Sequence, residues 1–378
     1  MKKEMKTSYY DDFSCIADNC SFTCCQEWKI AIDDDTYTKW KHLSVTNQEN
    51  DSLDRYVTQK DGARVIALNE QKQCPFLKEN KLCKLVLELG DEVLSETCAS
   101  FPRQIHEFAD RKEYSLASCC PEAVDFMNRQ DSILFTETMS DAKDDVLLQI
   151  RTMMITIMQK QQFSISKCLM VIFYILLDLN QKDVVLPKEI NEYLKESVLK
   201  EFSDTIDKMK FHRLDTFEEN NELFLDTAEN YRKQELYTKY LEPIALMAEK
   251  LSEEYNEQKL VKQLEQFDKE FASYETLFRN YMVVEIFSNC LMPESNLEDM
   301  IVMFEWIAME YAIMRHAIFL NWMVQKESAL SYDEVRSYIV VISRMMGYDQ
   351  EDVCEFLEKS FESLLWEWGY LALLVGAE

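Results

Sequence analysis

Nine of the twelve cysteines in this chain of 378 residues lie in its first third. They are Cys15, Cys20, Cys24, Cys25, Cys74, Cys83, Cys98, Cys119 and Cys120. A thiol-rich segment of this kind either binds metal or forms disulfide bonds. Disulfides are typical of small secreted domains that cannot build an adequate core. This chain is 47% hydrophobic and long enough to bury one or two cores without cross-links. The pattern therefore favours thiolate ligands for a metal.

The spacing of the cysteines indicates which metal they would bind. Zinc ribbons and fingers use paired C-x2-4-C knuckles, commonly with histidine. No C-x2-C occurs here, and only His106 of the four histidines stands near the cysteine blocks. Iron–sulfur clusters accept more varied spacings. The C-x3-C-x2-C motif of radical enzymes is absent, because Glu27 occupies the third position after Cys20 and Cys24. An iron–sulfur cluster is the favoured prediction, and zinc is the alternative.

The elements that must position these thiols are short in the first 120 residues. Segments 28–32 and 64–68 alternate in polarity like short strands, and Lys78 to Lys81 has the composition of a turn. Cys120 followed by Pro121 predicts a helix with proline at its first position. The positive end of that helix would face the thiolates and stabilise their charge.

Beyond residue 120 the apolar residues recur with a helical period. Val146, Ile150 and Met153 begin one such stripe, and a polar helix is predicted from Lys188 to about Lys210. The same stretch contains helix boundary signals: a boundary at Pro187, breaks or kinks at Pro243 and Pro293, a capping box at Ser331 and Glu334, and a terminating glycine at Gly347. Cys168, Cys290 and Cys354 lie on apolar helical faces and are predicted to be core residues.

The predicted fold is therefore mainly α. A small, irregular, cysteine-rich metal-binding domain is expected over residues 1–130, followed by a helical bundle over residues 131–378.

The composition argues against several classes of protein. The formal net charge is −28, from 41 Lys and Arg against 69 Asp and Glu, whereas nucleic-acid binding depends on basic side chains. Only five glycines occur, and none forms the turn of a Rossmann domain or a P-loop.

The first residues lack the apolar core of a signal peptide. The longest apolar run, from Cys168 to Leu177, is too short to span a bilayer. We expect a cytoplasmic protein that binds neither nucleic acid nor a membrane.

Several blocks between residues 9 and 126 resemble the flagellin lysine-N-methylase (FliB) family. They are Phe13-Ser14-Cys15, Cys24-Cys25-Gln26-Glu27-Trp28, Cys74-Pro75-Phe76-Leu77, Leu82-Cys83, Thr97-Cys98-Ala99-Ser100-Phe101-Pro102-Arg103 and Cys120-Pro121-Glu122-Ala123. The first blocks are also similar to a wider group of zinc- or iron-chelating proteins. Cys119 departs from the family pattern, which has a single cysteine before Pro-Glu-Ala.

The resemblance implies an S-adenosylmethionine-dependent methyltransferase that modifies lysine ε-amino groups of flagellin and contains a [4Fe–4S] cluster. Arg103 and Glu122 stand beside the matched cysteines and are predicted to contact the cofactor carboxylate and the incoming lysine, respectively. Their alternative role is to pair with local charges. The metal ligands are expected among the eight cysteines that match the family: Cys15, Cys20, Cys24, Cys25, Cys74, Cys83, Cys98 and Cys120.

Three questions stay open at this stage. Eight thiols exceed the needs of one four-iron cluster, so two metal centres or additional buried thiols are both compatible with the count. A non-enzymatic metal- or cluster-binding protein is the alternative function. A thiol sensor that uses the neighbouring pairs Cys24-Cys25 and Cys119-Cys120 is a third hypothesis.

Overall fold

The computed structural model describes residues 2–44, 52–60, 62–136, 145–347, 353–354, 356–357 and 366–376. Most of these residues are helical, which confirms the prediction of a mainly α protein. None of the helices in this part of the chain combines the length and the apolar character needed to cross a membrane.

The first 136 residues contain short helices and strands. These are β1 (Lys3–Lys6), α1 (Asp34–Trp40), β2 (Val57–Lys60), β3 (Ala63–Ile66), α2 (Lys84–Leu89), α3 (Glu96–Ser100), β4 (Arg103–Glu107), β5 (Arg111–Leu116) and α4 (Pro121–Asn128). Strand β5 is central in a three-stranded sheet. It runs parallel to β1, with Lys3 opposite Arg111, and antiparallel to β4, with Arg103 opposite Leu116. Strands β2 and β3 form an antiparallel pair.

The two strands predicted from alternation have different outcomes. Residues 64–66 belong to β3, as predicted. Residues 28–32 do not form a strand and make only one isolated bridge, between Ala31 and Val65. Alternation arises there because Ile30 and Ile32 are buried while their neighbours are not. Burial of alternate side chains does not require a continuous ladder of backbone hydrogen bonds.

Residues from 146 onward form longer helices. They are α5 (Val146–Met158), α6 (Ile165–Asn180), α7 (Pro187–Tyr193), α8 (Glu196–Ile206), α9 (Arg213–Lys233), α10 (Thr238–Glu253), α11 (Glu257–Phe271), α12 (Glu275–Asn289), α13 (Leu297–Val324), α14 (Tyr332–Met346) and α15 (Trp368–Val375). Helix α13 is buried along most of its length and contacts α6, α9, α10, α12, α14 and α15.

Most local helix signals are confirmed. Pro187 is the first residue of α7, and the Ser331 hydroxyl accepts a hydrogen bond from the Glu334 N–H at 3.3 Å at the start of α14. Gly347 ends that helix with φ +63°. One prediction is wrong, because the single helix predicted over residues 188–210 is divided between α7 and α8. Pro243 lies inside α10 and does not break it, whereas Pro293 lies between α12 and α13.

The buried side chains form two hydrophobic cores. The smaller core consists of Ile30, Ile32, Trp40, Leu53, Ile66, Cys74, Phe76, Leu85 and Val93. The larger core unites the long helices with the first strand, residues 9–22 and helix α4. The beginning of the chain therefore packs against the long helices, whereas the smaller core is formed by residues between Ile30 and Val93. The division near residue 130 stays a prediction.

A buried ion pair joins the sheet to the helices. The Glu113 carboxylate on β5 accepts hydrogen bonds from Arg111 Nε at 2.6 Å and from both terminal nitrogens of Arg151 on α5 at 2.6 Å. All three side chains are almost fully buried. Burial alone would raise the pKa of Glu113, but the charges of Arg151 and Arg111 outweigh it and the pKa is lowered. Glu113 is therefore held ionised between two guanidinium groups.

A second buried carboxyl group, Glu305 on α13, supports a prediction about pH. Neither of its oxygens has a hydrogen-bond partner within the described residues, and burial raises its pKa from 4.5 to about 9. Glu305 is therefore protonated in the fold at neutral pH, while the unfolded chain ionises above its ordinary pKa. Stability is lost as the pH rises from the unfolded value towards the folded one.

We expect Glu305→Gln to stabilise the protein by about 3 kcal/mol at pH 7 and by almost nothing at pH 4. The amide cannot ionise, so this variant avoids the penalty. Urea unfolding of both proteins at several pH values measures the difference. A stability difference that does not change between pH 4 and pH 8 would contradict the prediction.

Candidate functional site

Seven of the cysteines predicted as ligands line one cavity of about 390 Å³. The remaining wall is largely apolar and includes Trp28, Ile30, Trp40, Phe76 and Leu85. The cavity therefore brings together thiols from segments that are distant along the chain. The seven are Cys15, Cys20, Cys24, Cys25, Cys74, Cys83 and Cys98.

Short local structures fix these thiols in place. Cys83 is the N-terminal cap of α2, after a turn in which the Lys81 N–H donates to the Lys78 carbonyl at 2.8 Å. This confirms the turn predicted over Lys78–Lys81. Cys98 lies in α3, and its N–H donates to the Ser95 hydroxyl at 3.2 Å. The Cys74 N–H donates to the Cys25 carbonyl at 2.8 Å. This hydrogen bond links the segment that contains Cys15 to Cys25 with the segment that contains Cys74 to Cys98.

Burial and neighbouring groups set the protonation of the thiols. A hydrogen bond from the Cys25 thiol lowers the pKa of Cys24 to about 7, and the positive charge of Arg344 acts in the same direction against burial. The same hydrogen bond raises the pKa of Cys25. Burial raises the pKa of Cys74 to about 12. Of these three thiols, Cys24 is the most easily ionised. A thiol that binds a metal loses its proton on binding.

The donor set fits an iron–sulfur cluster or zinc in its chemistry. Thiolate sulfur is the usual ligand of both, and the wall around the thiols is largely apolar. In the described part of the chain, no three His, Cys, Asp or Glu side chains are already placed around one point as a metal site. The side chains share a cavity, and metal binding would require them to rotate towards a common centre.

Cys120 does not line this cavity. It is the N-terminal cap of α4, with Pro121 at the first helical position as predicted. Backbone N–H groups of Glu122 and Ala123 lower its pKa, but burial is the larger effect and raises the pKa to about 12. The charge of the nearby Cys20 is among the smaller causes that raise this pKa. Helix α4 therefore begins at Cys120 as predicted. The end of this helix does not by itself turn Cys120 into a thiolate.

The predicted cofactor contacts, Arg103 and Glu122, lie outside the cysteine cavity. Arg103 Nη2 donates to the Phe13 carbonyl at 3.0 Å, and its guanidinium lies 5.0 Å from the centre of the Phe13 ring. Glu122 faces Arg129, with 3.5 Å between Oε1 and Nη1. His106 is partly buried near Glu113 and Arg151, and burial lowers its pKa. The roles of Arg103 and Glu122 as cofactor contacts stay predictions.

A second cavity, of about 430 Å³, lies between the cysteine-rich segments and the long helices. We call it the polar cavity. Trp28 lines both cavities, so the two adjoin. The side chains around the polar cavity include Glu27, Trp28, Lys29, Lys60, Gln104, Ser118, Cys119, Asn230, Tyr231, Gln234, Tyr237, Glu285, Asn289, Ser343 and Arg344.

Three polar side chains on this cavity are almost fully buried: Ser118, Glu285 and Asn289 are each no more than 3% exposed. The Ser118 hydroxyl donates to Glu285 Oε1. Asn289 Nδ2 donates to Glu285 Oε2 at 2.6 Å, one helical turn later on α12. We call these three residues the cavity floor. Its carboxylate is fixed at both oxygens.

Arg344 on α14 joins the two cavities. Its guanidinium donates to three backbone carbonyls, those of Cys119 at 3.1 Å, Thr23 at 3.2 Å and Phe22 at 3.2 Å. It also lies 5.1 Å from the centre of the Trp28 ring. One side chain of the helical part therefore fixes the backbone just before Cys24 and Cys25 and next to Cys120.

Comparison with known proteins identifies the family. The model of the FliB lysine N-methylase C-terminal domain matches residues 151–374, which is more than half of the chain. The chain belongs to the FliB lysine N-methylase family. This match confirms the family named from the sequence, although it covers the helical part of the chain and not the cysteine blocks. The family description agrees with the predicted class of enzyme, a protein-lysine methyltransferase.

Individual relatives of this FliB family member come from Salmonella. The flagellar biosynthetic protein FliU of Salmonella muenchen is 30% identical over 145 residues, which is 37% of this chain and 86% of the relative. A lysine-N-methylase of Salmonella typhimurium is 31% identical over 130 residues, which is 33% of this chain and 32% of the relative. A lysine-N-methylase of Salmonella choleraesuis is 30% identical over 135 residues, which is 34% of each protein. The matches to the two lysine-N-methylases thus span about a third of their length. No solved structure matches this FliB chain.

The sequence reasoning missed the cavity floor and Arg344. Two of these residues had a detectable signal. Glu285 interrupts the apolar run Val283-Val284-Glu285-Ile286-Phe287, and Arg344 falls on the buried face of an amphipathic helix. A charged residue in a buried stripe is rare unless it is paired or functional. Both lie within the segment that matches the FliB model.

Proposed function

We propose that this chain is a protein-lysine N-methyltransferase that uses S-adenosylmethionine and acts on flagellin. The observation that carries the proposal is the match of residues 151–374 to the FliB lysine N-methylase model. The geometry adds support because a polar cavity with a buried carboxylate adjoins a cavity lined by seven thiols. A two-part site of this kind suits a reaction between a polar amine and a separately anchored donor.

The chemistry requires little more than positioning and one proton transfer. A neutral lysine amine attacks the methyl group of a sulfonium directly, so the enzyme must desolvate the amine, align it and accept its proton. The polar cavity offers aromatic walls at Trp28, Tyr231 and Tyr237, and aromatic faces attract ammonium and sulfonium cations. These features favour transfer of the methyl group by polar substitution.

We propose that the ligands of a [4Fe–4S] cluster come from among the thiols of Cys15, Cys20, Cys24, Cys25, Cys74, Cys83, Cys98 and Cys120. Zinc is the alternative metal for part of this set. When bound, a cluster with an open iron position would supply a binding point for the amino and carboxylate groups of S-adenosylmethionine. That arrangement is compatible with a chain of only five glycines, because no glycine-rich loop is needed to hold the donor.

Flagellin is proposed as the substrate because one relative is named a flagellar biosynthetic protein and two are named lysine-N-methylases. In this proposal the enzyme works in the cytoplasm, where flagellin is available before export and thiols remain reduced. The test of the activity is incubation of oxygen-protected protein with flagellin and labelled S-adenosylmethionine, followed by mass spectrometry of the lysines. Unmodified flagellin in the presence of bound metal would instead favour the alternative, a non-enzymatic metal-binding protein.

Alanine variants of two buried cysteines test the role of the thiols as metal ligands. We expect Cys74→Ala to lose most of its bound iron and its methyltransferase activity, because Cys74 lies on the cysteine cavity. Cys168→Ala is the matched control, since Cys168 is equally buried but lies in the helical core. Iron and acid-labile sulfide are measured per chain in oxygen-protected protein. Equal iron contents in the two variants would contradict the assignment.

A further inference from the structure

The proposed function leaves open where the acceptor lysine binds and which group takes its proton. We infer that the lysine side chain enters the polar cavity and that Glu285, on the cavity floor, accepts the proton from its ammonium group. This inference rests on the proposed function and assigns a substrate site and a catalytic residue within it.

The first support is the shape of the polar cavity. Lys29 and Lys60, which are exposed, lie on its outer part, whereas Ser118, Glu285 and Asn289 are buried at its base. The cavity volume of about 430 Å³ accommodates an extended side chain of four methylene groups. A long side chain entering from solvent would therefore end beside the floor carboxylate.

The second support is the state of the two carboxylates on the cavity. Glu27 is already used, because its Oε1 accepts a hydrogen bond from the Tyr237 N–H at 3.0 Å at the start of α10. Glu285 accepts a hydrogen bond from the Ser118 hydroxyl at Oε1 and from the Asn289 amide at Oε2. These two hydrogen bonds orient a carboxylate on the cavity, and a carboxylate positioned in this way can act as a proton acceptor.

The third support is the electrostatic surroundings of Glu285. Its negative charge adds to burial, the main cause, in raising the pKa of Tyr9, Cys119, Tyr281 and Cys290. Glu310 lies in the same region, because its charge also raises the pKa of Tyr281 and Cys119. Arg344 lies on the wall of the polar cavity. An ammonium group at the floor would therefore meet the negative charges of Glu285 and Glu310 as well as the positive charge of Arg344.

The proposed step is balanced in atoms and charge. The lysine ammonium gives one proton to the Glu285 carboxylate, and the nitrogen lone pair then attacks the methyl carbon of S-adenosylmethionine. The new carbon–nitrogen bond forms as the carbon–sulfur bond breaks, and S-adenosylhomocysteine leaves with the electron pair. The product is a protonated methylated amine, and Glu285 releases its proton to solvent before the next cycle.

The test is Glu285→Gln in the full-length, metal-containing protein. We expect kcat to fall by about 100-fold or more, as for removal of a general base, while the KM for S-adenosylmethionine changes little. Glu305→Gln is the matched control, since Glu305 is equally buried but lies outside the polar cavity; it should retain wild-type kcat. If Glu285→Gln keeps more than about a third of wild-type kcat while the wild type methylates lysine, the inference fails and the proposed function stands.

A second variant tests the cavity without touching its buried floor. Gln234 is partly exposed on the cavity and accepts a hydrogen bond from Lys60 at 2.7 Å. Gln234→Trp should fill the entrance and reduce kcat/KM for flagellin at least about tenfold, with unchanged iron content and thermal stability. Full activity of this variant would overturn the assignment of the polar cavity to the acceptor lysine. Absence of lysine methylation by the wild type would overturn the proposed function and this inference with it.

Discussion

Glu113→Gln is expected to reduce the free energy of unfolding by about 3–5 kcal/mol, because it leaves two buried guanidinium groups without their shared counter-ion. Arg151 is fully buried and donates to both Glu113 oxygens, and Arg111 donates to one of them. The amide has a similar size, so the loss reflects charge rather than a cavity. Urea unfolding followed by circular dichroism measures the change.

The matched control for this prediction is Asp110→Asn. Asp110 also contacts Arg111, at 3.0 Å, but its side chain is largely exposed, and exposed ion pairs contribute less than about 1 kcal/mol. The effect of Glu113→Gln should also depend on pH. Because the folded-state pKa of Glu113 is lowered, its contribution is complete above the ordinary glutamate pKa and is lost as the pH falls through the folded value. Equal losses for the two variants at pH 7 would show that the buried pair is unimportant.

The second large effect is expected for Arg344→Lys, at about 3 kcal/mol of stability together with loss of metal and activity. An arginine can donate to three separate carbonyls, whereas a lysine ammonium at the end of a flexible chain reaches one of them. Two of the carbonyls of Phe22, Thr23 and Cys119, which are buried or partly buried, would then lose this donor, at a cost of up to about 1–3 kcal/mol each. Unfolding experiments and iron analysis of the variant measure both consequences.

Arg336→Lys is the control on the same helix. Arg336 contacts both oxygens of Asp125, at 3.1 and 3.0 Å, and a lysine can keep a charge-based contact with a carboxylate. We expect this variant to lose less than about 1 kcal/mol and to retain its iron. If Arg344→Lys were as stable and as rich in iron as Arg336→Lys, the fixing of the cysteine segments by Arg344 would be disproved.

The parts of the fold that depend on neighbouring residues could be predicted from the sequence. The capping box at Ser331, the terminating Gly347 and the helix start at Cys120 and Pro121 are all confirmed, because each involves residues within a few positions. Strands β1, β4 and β5 were not predicted. The backbone hydrogen bonds of β1 are made with β5, which lies more than a hundred residues later in the sequence. Strand β1 has only four residues, and so short a segment shows too little alternation of polar and apolar residues to be recognised as a strand.

The candidate site shows the same division. The crowding of cysteines predicted a common location, and seven of them do line one cavity. The cavity floor could not be predicted in the same way, because Ser118 and Glu285 are 167 residues apart and meet only in the folded chain. Arg344 is 225 residues from Cys119, whose carbonyl it binds. Local patterns contain no information about such encounters.

The contacts of Arg344 also bear on the order of events during synthesis. The Arg344 guanidinium that binds the carbonyls of Phe22 and Thr23 lies 322 and 321 residues later in the sequence. Residues this far apart must close a long loop before they meet. The ribosome releases the amino-terminal cysteines long before α14 exists, so the thiols are exposed to solvent and oxidants in the nascent chain. The cysteine cavity therefore reaches its final shape only after α14 has been synthesised, and the proposed metal would be loaded after translation.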